Sequence, residues 1–375
     1  YTKQFASKRR LADGKNTMSK LVVFEPIMTV TGQNADVRFT VHPSDMLSVA
    51  LAIAHEVAKL TGKNSEDLGS FSPASVAQSA GLSAEAIHAV AKELVQYKGR
   101  GLVVAKDHGT KGLALQNVVN FLNSALANEG ETLDGISLQY QGSHAEFERL
   151  LNAARTGAVK TLVIADVNPA YHYSDTLKVK EALKKVPNLV YFGSYIDETA
   201  DLAKFVAAES HPFEVWGDSS PRKEIYSIQQ PTIRPLWKTR SLLESLLVWR
   251  GKGGQNPMEA SYQEVLKTAK DWHSRTGGGK SFQDWWDDLL MSGVVNTGAG
   301  DAKGGARSYH GEVLRYAVSA AKAGSSNKGG DGEFTLVLAH SVAMGDGRQS
   351  NNAQLQELPD PVSKNTWGNY LAISH

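Results

Sequence analysis

Between residues 101 and 206 short apolar runs alternate with amphipathic stretches, and this rhythm restricts the fold more than any other feature of the chain. Gly101-Leu-Val-Val-Ala105 and Leu162-Val-Ile-Ala165 are continuous apolar runs of strand length, the pattern of strands buried on both faces. Helical spacing lies between them: Leu115, Val118, Val119 and Leu122 repeat over 113–126, and a further helix is expected over 145–154. Leu189-Val-Tyr-Phe192 and Leu202-Ala-Lys-Phe-Val206 continue the series. Strand, crossover helix and strand make the unit of a doubly wound parallel sheet, so the fold class is α/β.

The same logic extends to both ends. Leu21-Val-Val-Phe24 predicts a strand closed by Glu25-Pro26, because proline has no N–H for a ladder. Val37 to Val41 predicts a second strand stopping at Pro43, after which Ser44 or Asp45 caps a helix through Leu47, Leu51, Ala54 and Ala58. Ser83, with Glu85 in the first turn, caps another helix ending near Lys98-Gly99. From Ser292 to Gly332 the composition shifts to Gly, Ser, Ala and Lys, as in a linker or insertion. Phe334-Thr-Leu-Val-Leu338 then predicts a strand that opens a new unit. The expected domains are therefore 1–98, 99–291, a linker at 292–332, and 333–375.

Charge and composition exclude several function classes. The chain of 375 residues carries 40 basic and 39 acidic side chains, a balance that leaves no footprint for nucleic acid or an anionic membrane. It has no cysteine, so disulfides, thiolate zinc sites and ordinary iron–sulfur ligation within the chain are out. No apolar stretch reaches the ~18–20 residues of a spanning helix. The start at Tyr1 and the end at His375 fit a piece of a longer polypeptide.

Motifs that could carry chemistry are weak. Gly277-Gly-Gly-Lys280-Ser281 lacks the glycine that a phosphate loop needs at position 274, which is Ser274, so a polar loop between helices is expected. His55-Glu56 lacks a second histidine at Lys59 and predicts a solvated helix face. Asp284, Asp287 and Asp288 interleave with Trp285 and Trp286, the pattern of an amphipathic helix packed on a core. His108, His144, His172 and His211 have no ligand spacing. No catalytic residue and no metal site follow from these patterns.

Strand ends are more informative, because ligands of open α/β sheets sit beyond the carboxyl ends of strands. Three are recognisable: Glu25-Pro26-Ile27, Lys106-Asp107-His108-Gly109 and Asp166-Val167-Asn168-Pro169. Here the residues resemble a known family. Glu25-Pro26 with Thr29, Thr31, Ala35 and Asp36, then His42-Pro-Ser-Asp45, resembles the dinucleotide-binding third domain of the dimethyl-sulfoxide-reductase family. Leu122-Asn123, Leu126-Ala-Asn128-Glu-Gly130, Asn168-Pro169 and Asp197-Glu-Thr-Ala200 resemble its second domain, and Gln349 to Ser374 the start of its C-terminal β-barrel. The run Tyr195 to Trp249 belongs to the cofactor-binding core of that pattern. Within it Phe213-Glu-Val-Trp-Gly-Asp218 and Ser227-Ile-Gln-Gln-Pro231, and later Leu355-Gln-Glu-Leu-Pro359 and Lys364-Asn-Thr-Trp367, resemble one branch, the large molybdopterin-oxidoreductase-like iron–sulfur subunit of alternative complex III.

The resemblance implies a fold of two Rossmann-like doubly wound domains and the start of a barrel. It also implies a scaffold that has lost molybdopterin, in an assembly passing electrons from quinol to cytochrome c on the periplasmic side of the bacterial inner membrane. Iron–sulfur clusters would lie in a ferredoxin-like C-terminal continuation or partner. Multihaem cytochrome c subunits and quinol-binding integral membrane subunits would be neighbours. Departures from the active pattern support the loss: Ile27 replaces an arginine, Ser44 and Asp166 replace glycines, and Asp166 adds negative charge where a diphosphate would lie. The vestigial pocket is then Glu25, Ser44, Asp45, Asp166, Asn168, Glu214 and Asp218. The molybdenum ligand of active relatives would fall upstream of Tyr1. The alternative is an active molybdopterin-dinucleotide-dependent periplasmic oxidoreductase with Asn168, Glu214 and Asp218 lining the cofactor. A third reading is a nucleotide-binding or interaction module related to neither.

Overall fold

The computed structural model describes residues 2–11, 14, 16–63, 66–106, 111–133, 142–222, 224–297, 309, 311–323 and 333–373. The chain divides into two units, one formed by Tyr1–Gly135 with Lys303–His375 and the other by Ile136–Ala302. Residues 99–133, assigned above to the second domain, pack with the first unit.

In the first unit β1 (Val22–Glu25) and β2 (Val37–Thr40) pair in parallel, Val22 opposite Val37 through Glu25 opposite Thr40. The helix Met46–Thr61 runs through the core, with Leu47, Leu51, Ala54 and Val57 all buried. It packs against Ala84–Gln96 and Gly112–Ala125, and its left-handed cap is Gly62, a conformation open to glycine without a Cβ penalty. Ser83 caps Ala84–Gln96 by accepting from the Ala86 N–H at 3.0 Å, as expected.

Four expectations are corrected here. Gly101 to Ala105 forms no strand. Its ladder partner is one side chain: the Val103 N–H donates to Asn123 Oδ1 at 3.0 Å, and Asn123 Nδ2 donates to the Val103 carbonyl at 2.8 Å. Val103 and Ala105 face the core while Val104 is 71% exposed, so burial is one-sided. The expected linker contains the helix Gly311–Ala323, whose Leu314, Ala317, Val318 and Ala321 are buried at helical spacing; alanine in two of the four positions disguised the stripe. The His55-Glu56 face is not solvated. Glu56 is 6% exposed and its carboxylate lies 2.7 Å from His88 Nδ1 on the neighbouring helix. Finally, Phe334 to Leu338 is not a strand and pairs with none among the described residues, and its Phe334, Leu336 and Leu338 are exposed. Among the described residues of 333–373 there is one short helix, Ala353–Glu357, and no strand.

The second unit holds two sheets. β3 (Thr161–Ala165), β4 (Asn188–Gly193) and β5 (Phe205–Ala208) are parallel and in sequential order. Ile164, Leu189 and Tyr191 face a core completed by Leu151 and Ala154 of His144–Arg155 and by Ala182 and Leu183 of Val179–Leu183. On the opposite face Val163, Val190 and Phe205 stand in one row across the sheet, and Val163 and Phe205 are exposed. Further along that same face Phe192 is buried, its ring against Trp249, so the burial on both faces expected for a doubly wound sheet is met at Phe192 and not at Val163 and Phe205.

The second sheet is antiparallel, made of β6 (Gly217–Arg222), β7 (Ile225–Gln229) and β8 (Val294–Asn296). Its core is Tyr226 with Val265, Ala269 and Trp272 of Pro257–Thr276 and Trp285, Trp286 and Leu289 of Phe282–Ser292. The aspartates of the last helix point outward, as their spacing predicts. Gly277 to Ser281 is the loop between the two helices: Lys280 pairs with Asp288 and Ser281 caps the second.

Candidate functional site

The residues nominated from sequence fall into three places, described one at a time. The first is the end of β1. Glu25 is buried, and its carboxylate is already saturated: it accepts from the Thr29 hydroxyl at 2.6 Å and the Thr29 N–H at 3.3 Å, and pairs with Arg38 Nε at 2.5 Å. Thr29 in turn caps the turn Val30–Gln33 by accepting from the Gly32 N–H at 3.1 Å. The close approach needs Gly32, where a Cβ would lie 1.8 Å from Glu25 Oε1. Ser44 Oγ is 2.7 Å from His42 Nδ1, and His42 Nε2 is 3.0 Å from the Thr335 hydroxyl. Asp45 is buried at the start of the Met46–Thr61 helix without capping it through its side chain. Glu25, Thr29 and Arg38 thus form one local network, and Ser44, His42 and Thr335 another.

The second place is the carboxyl edge of β3-β4-β5. Asp166 follows β3 with φ +52°, the left-handed region, and its N–H donates to the Phe192 carbonyl at 2.9 Å. The backbone shape that suits glycine is kept while the glycine is not. Asp166→Gly is therefore expected to raise unfolding free energy by about 1 kcal/mol, measured by urea denaturation. Asn168 is held at both ends of its amide: Nδ2 donates to Glu198 Oε2 at 2.7 Å, and Oδ1 accepts from the Thr199 hydroxyl at 2.7 Å. Thr199 Oγ1 also accepts from the Ala170 N–H at 3.1 Å. Asp197 organises the next turn, accepting from the Thr199 and Ala200 N–H groups at 2.9 and 2.8 Å and from the Tyr191 hydroxyl at 2.5 Å. The Asn168 amide holds Glu198 below the usual carboxylate range, whereas burial pushes Glu209 up, with the charge of Asp166 adding to it. Tyr191 is raised by burial and by its bond to Asp197.

Asp166, Asp197, Glu198 and Glu209 thus place four carboxylates at one sheet edge. Lys180 and His172 are the cations whose fields reach Glu198. A dinucleotide cofactor brings a diphosphate, which needs N–H donors and positive charge at such an edge. The carboxylates here are of the wrong sign, and one N–H of the Asn168 amide is given to Glu198. Four carboxylates at this edge would repel a diphosphate.

The third place is the segment from His211. Glu214 is buried in a capping box: Oε2 accepts from the His211 N–H and Oε1 from the Leu236 N–H, both at 2.9 Å. Those two N–H groups, Leu236 first, hold its carboxyl below the ordinary range. Asp218 accepts from the Tyr226 hydroxyl at 3.1 Å, and desolvation raises its pKa. Both acids serve local structure. Glu25 with Ser44 and Asp45 belongs to the first unit; Asp166, Asn168, Glu214 and Asp218 belong to the second. Among the described residues no cluster of His, Asp or Glu is arranged to hold a metal ion. The strand end at Asp107 to Gly109, with His108, lies outside them.

Sequence reading missed Glu209 and the Tyr191 partnership. Asp197 and Thr199 were visible as part of a motif, and Asp-x-Thr is itself a turn signal whose side chain accepts N–H groups two and three residues on.

The chain is 25% identical over 290 residues to the menaquinone reductase molybdopterin-binding-like subunit of Nitratidesulfovibrio vulgaris, a match covering 69% of this chain and 42% of that protein. The likeness is to a molybdopterin-oxidoreductase-like protein. The chain spans about two fifths of the length of that relative. Among solved structures, acetylene hydratase from Pelobacter acetylenicus is similar with a TM-score of 0.49 and 13% identity, covering 62% of this chain and 43% of that one. No protein-family model matches the chain.

Proposed function

We propose that this chain is a non-catalytic, molybdopterin-oxidoreductase-like scaffold in a quinol-oxidising electron-transfer assembly of the alternative complex III type. The observation that carries it is the acidic carboxyl edge of β3-β4-β5, where Asn168 and Asp197 are bonded to neighbouring groups and Asp166 adds a further negative charge. The relative that it resembles is named for menaquinone reduction and as molybdopterin-binding-like, which supports a place in quinone-linked electron transfer. In this reading iron–sulfur clusters, cytochrome c haems and quinol sites lie on other domains or subunits, on the periplasmic face of the inner membrane. The chain holds their spacing, and spacing governs electron transfer between them.

Elemental analysis checks this directly. Purified full-chain protein is expected to contain no stoichiometric molybdenum, and acid treatment to release no fluorescent pterin. One molybdenum per chain would refute the scaffold reading and restore the active-enzyme alternative.

A further inference from the structure

Outside these networks three large apolar side chains of the second unit stand exposed on or beside one loop. Leu236 and Trp237 are 70% and 78% exposed, adjacent in sequence, and Phe213 beside them is 59% exposed. Phe213 is brought there by the backbone: its carbonyl accepts from the Thr232 and Ile233 N–H groups at 2.8 and 3.1 Å. The loop is pinned, not loose. Buried Glu214 holds the Leu236 N–H, Gln229 Nε2 donates to the Pro212 carbonyl at 2.7 Å, and the Ser210 and Thr239 hydroxyls meet at 2.8 Å. Around the apolar tip lie exposed Arg234, Lys238 and Arg240, and no carboxylate among the described residues pairs with any of the three.

We infer that this loop docks on an anionic lipid surface, Leu236 and Trp237 entering the interfacial layer and the three cations meeting lipid headgroups. Two observations favour a bilayer over a protein partner. Tryptophan beside leucine, ringed by Lys and Arg, is the composition of interfacial anchors. Cations with no carboxylate partner among the described residues complement a negative leaflet. Because the backbone is already fixed, insertion orders no loop. The inference does not depend on the scaffold reading, which metal analysis tests separately.

The absence of cysteine allows a clean test on the full chain. Leu236→Cys carrying an environment-sensitive dye is expected to shift to the blue with vesicles of phosphatidylglycerol and phosphatidylcholine. With phosphatidylcholine alone, or at high salt, the shift should be lost. The same dye at Lys267→Cys, on an exposed helix of the same unit, should not respond. Trp237→Ala, with an unchanged far-UV spectrum and denaturation midpoint, should weaken vesicle binding about tenfold. No blue shift at Leu236→Cys, or equal binding by Trp237→Ala, would overturn the inference. So would a response to soluble polyglutamate without one to vesicles, which would make the loop a protein-docking surface.

Discussion

Gly32→Ala should cost the first unit about 3 kcal/mol, at the lower end of what breaking a buried ion pair costs. The new methyl would lie 1.8 Å from Glu25 Oε1 and 2.5 Å from its Cδ, so the carboxylate must leave its place. Leaving means giving up Arg38 and both Thr29 donors at once. Arg38 is partly exposed and can recover water, which keeps the cost from rising further. A double-mutant cycle separates this from a general glycine effect. In a Glu25→Ala background the clash has no partner, and Gly32→Ala should add little. Guanidinium denaturation of the four proteins reads the cycle; equal costs in both backgrounds would show that the carboxylate is not what Gly32 accommodates.

Trp286→Ala should be costlier still, about 3–5 kcal/mol, because a buried tryptophan leaves both its transfer energy and a cavity. Its ring lies 6.0 Å from Phe282 and 6.3 Å from Trp216, centroid to centroid, in a core with few other layers. Asp287, next in sequence but outward-facing, should change by less than about 0.5 kcal/mol when replaced by alanine. A two-unit chain need not unfold in one step. Hydrogen exchange over Pro257–Thr276 and Phe282–Ser292 is therefore the better measure, and protection there should fall for Trp286→Ala alone.

Much of this was legible in the residues. The alternation of strand and helix located β3 and β4, and the Asp/Trp interleaving gave the correct faces of Phe282–Ser292. What failed, failed for reasons of partnership. Gly101 to Ala105 has a strand's composition, but its backbone is answered by an asparagine side chain instead of a neighbouring strand. Glu56 has the sequence of a surface residue, and only the facing helix with His88 makes it a buried one. Gly311–Ala323 was hidden because its buried stripe is built from small residues. At the candidate site, the unfavourable position of Asp166 was readable from its charge. The accumulation of four acids was not, because Asp197 and Glu209 reach that edge from different strand ends.

The division of the chain has a consequence for how it is made. The second unit is continuous in sequence, whereas the first needs Gly311–Ala323 to complete its core. During synthesis the later-numbered unit has all its residues before the earlier one does, reversing the usual order in which domains mature on the ribosome. Until residue 323 has emerged, the apolar faces of Met46–Thr61 and Gly112–Ala125 lack that covering helix, so the nascent chain is most exposed to aggregation and chaperone capture in this interval.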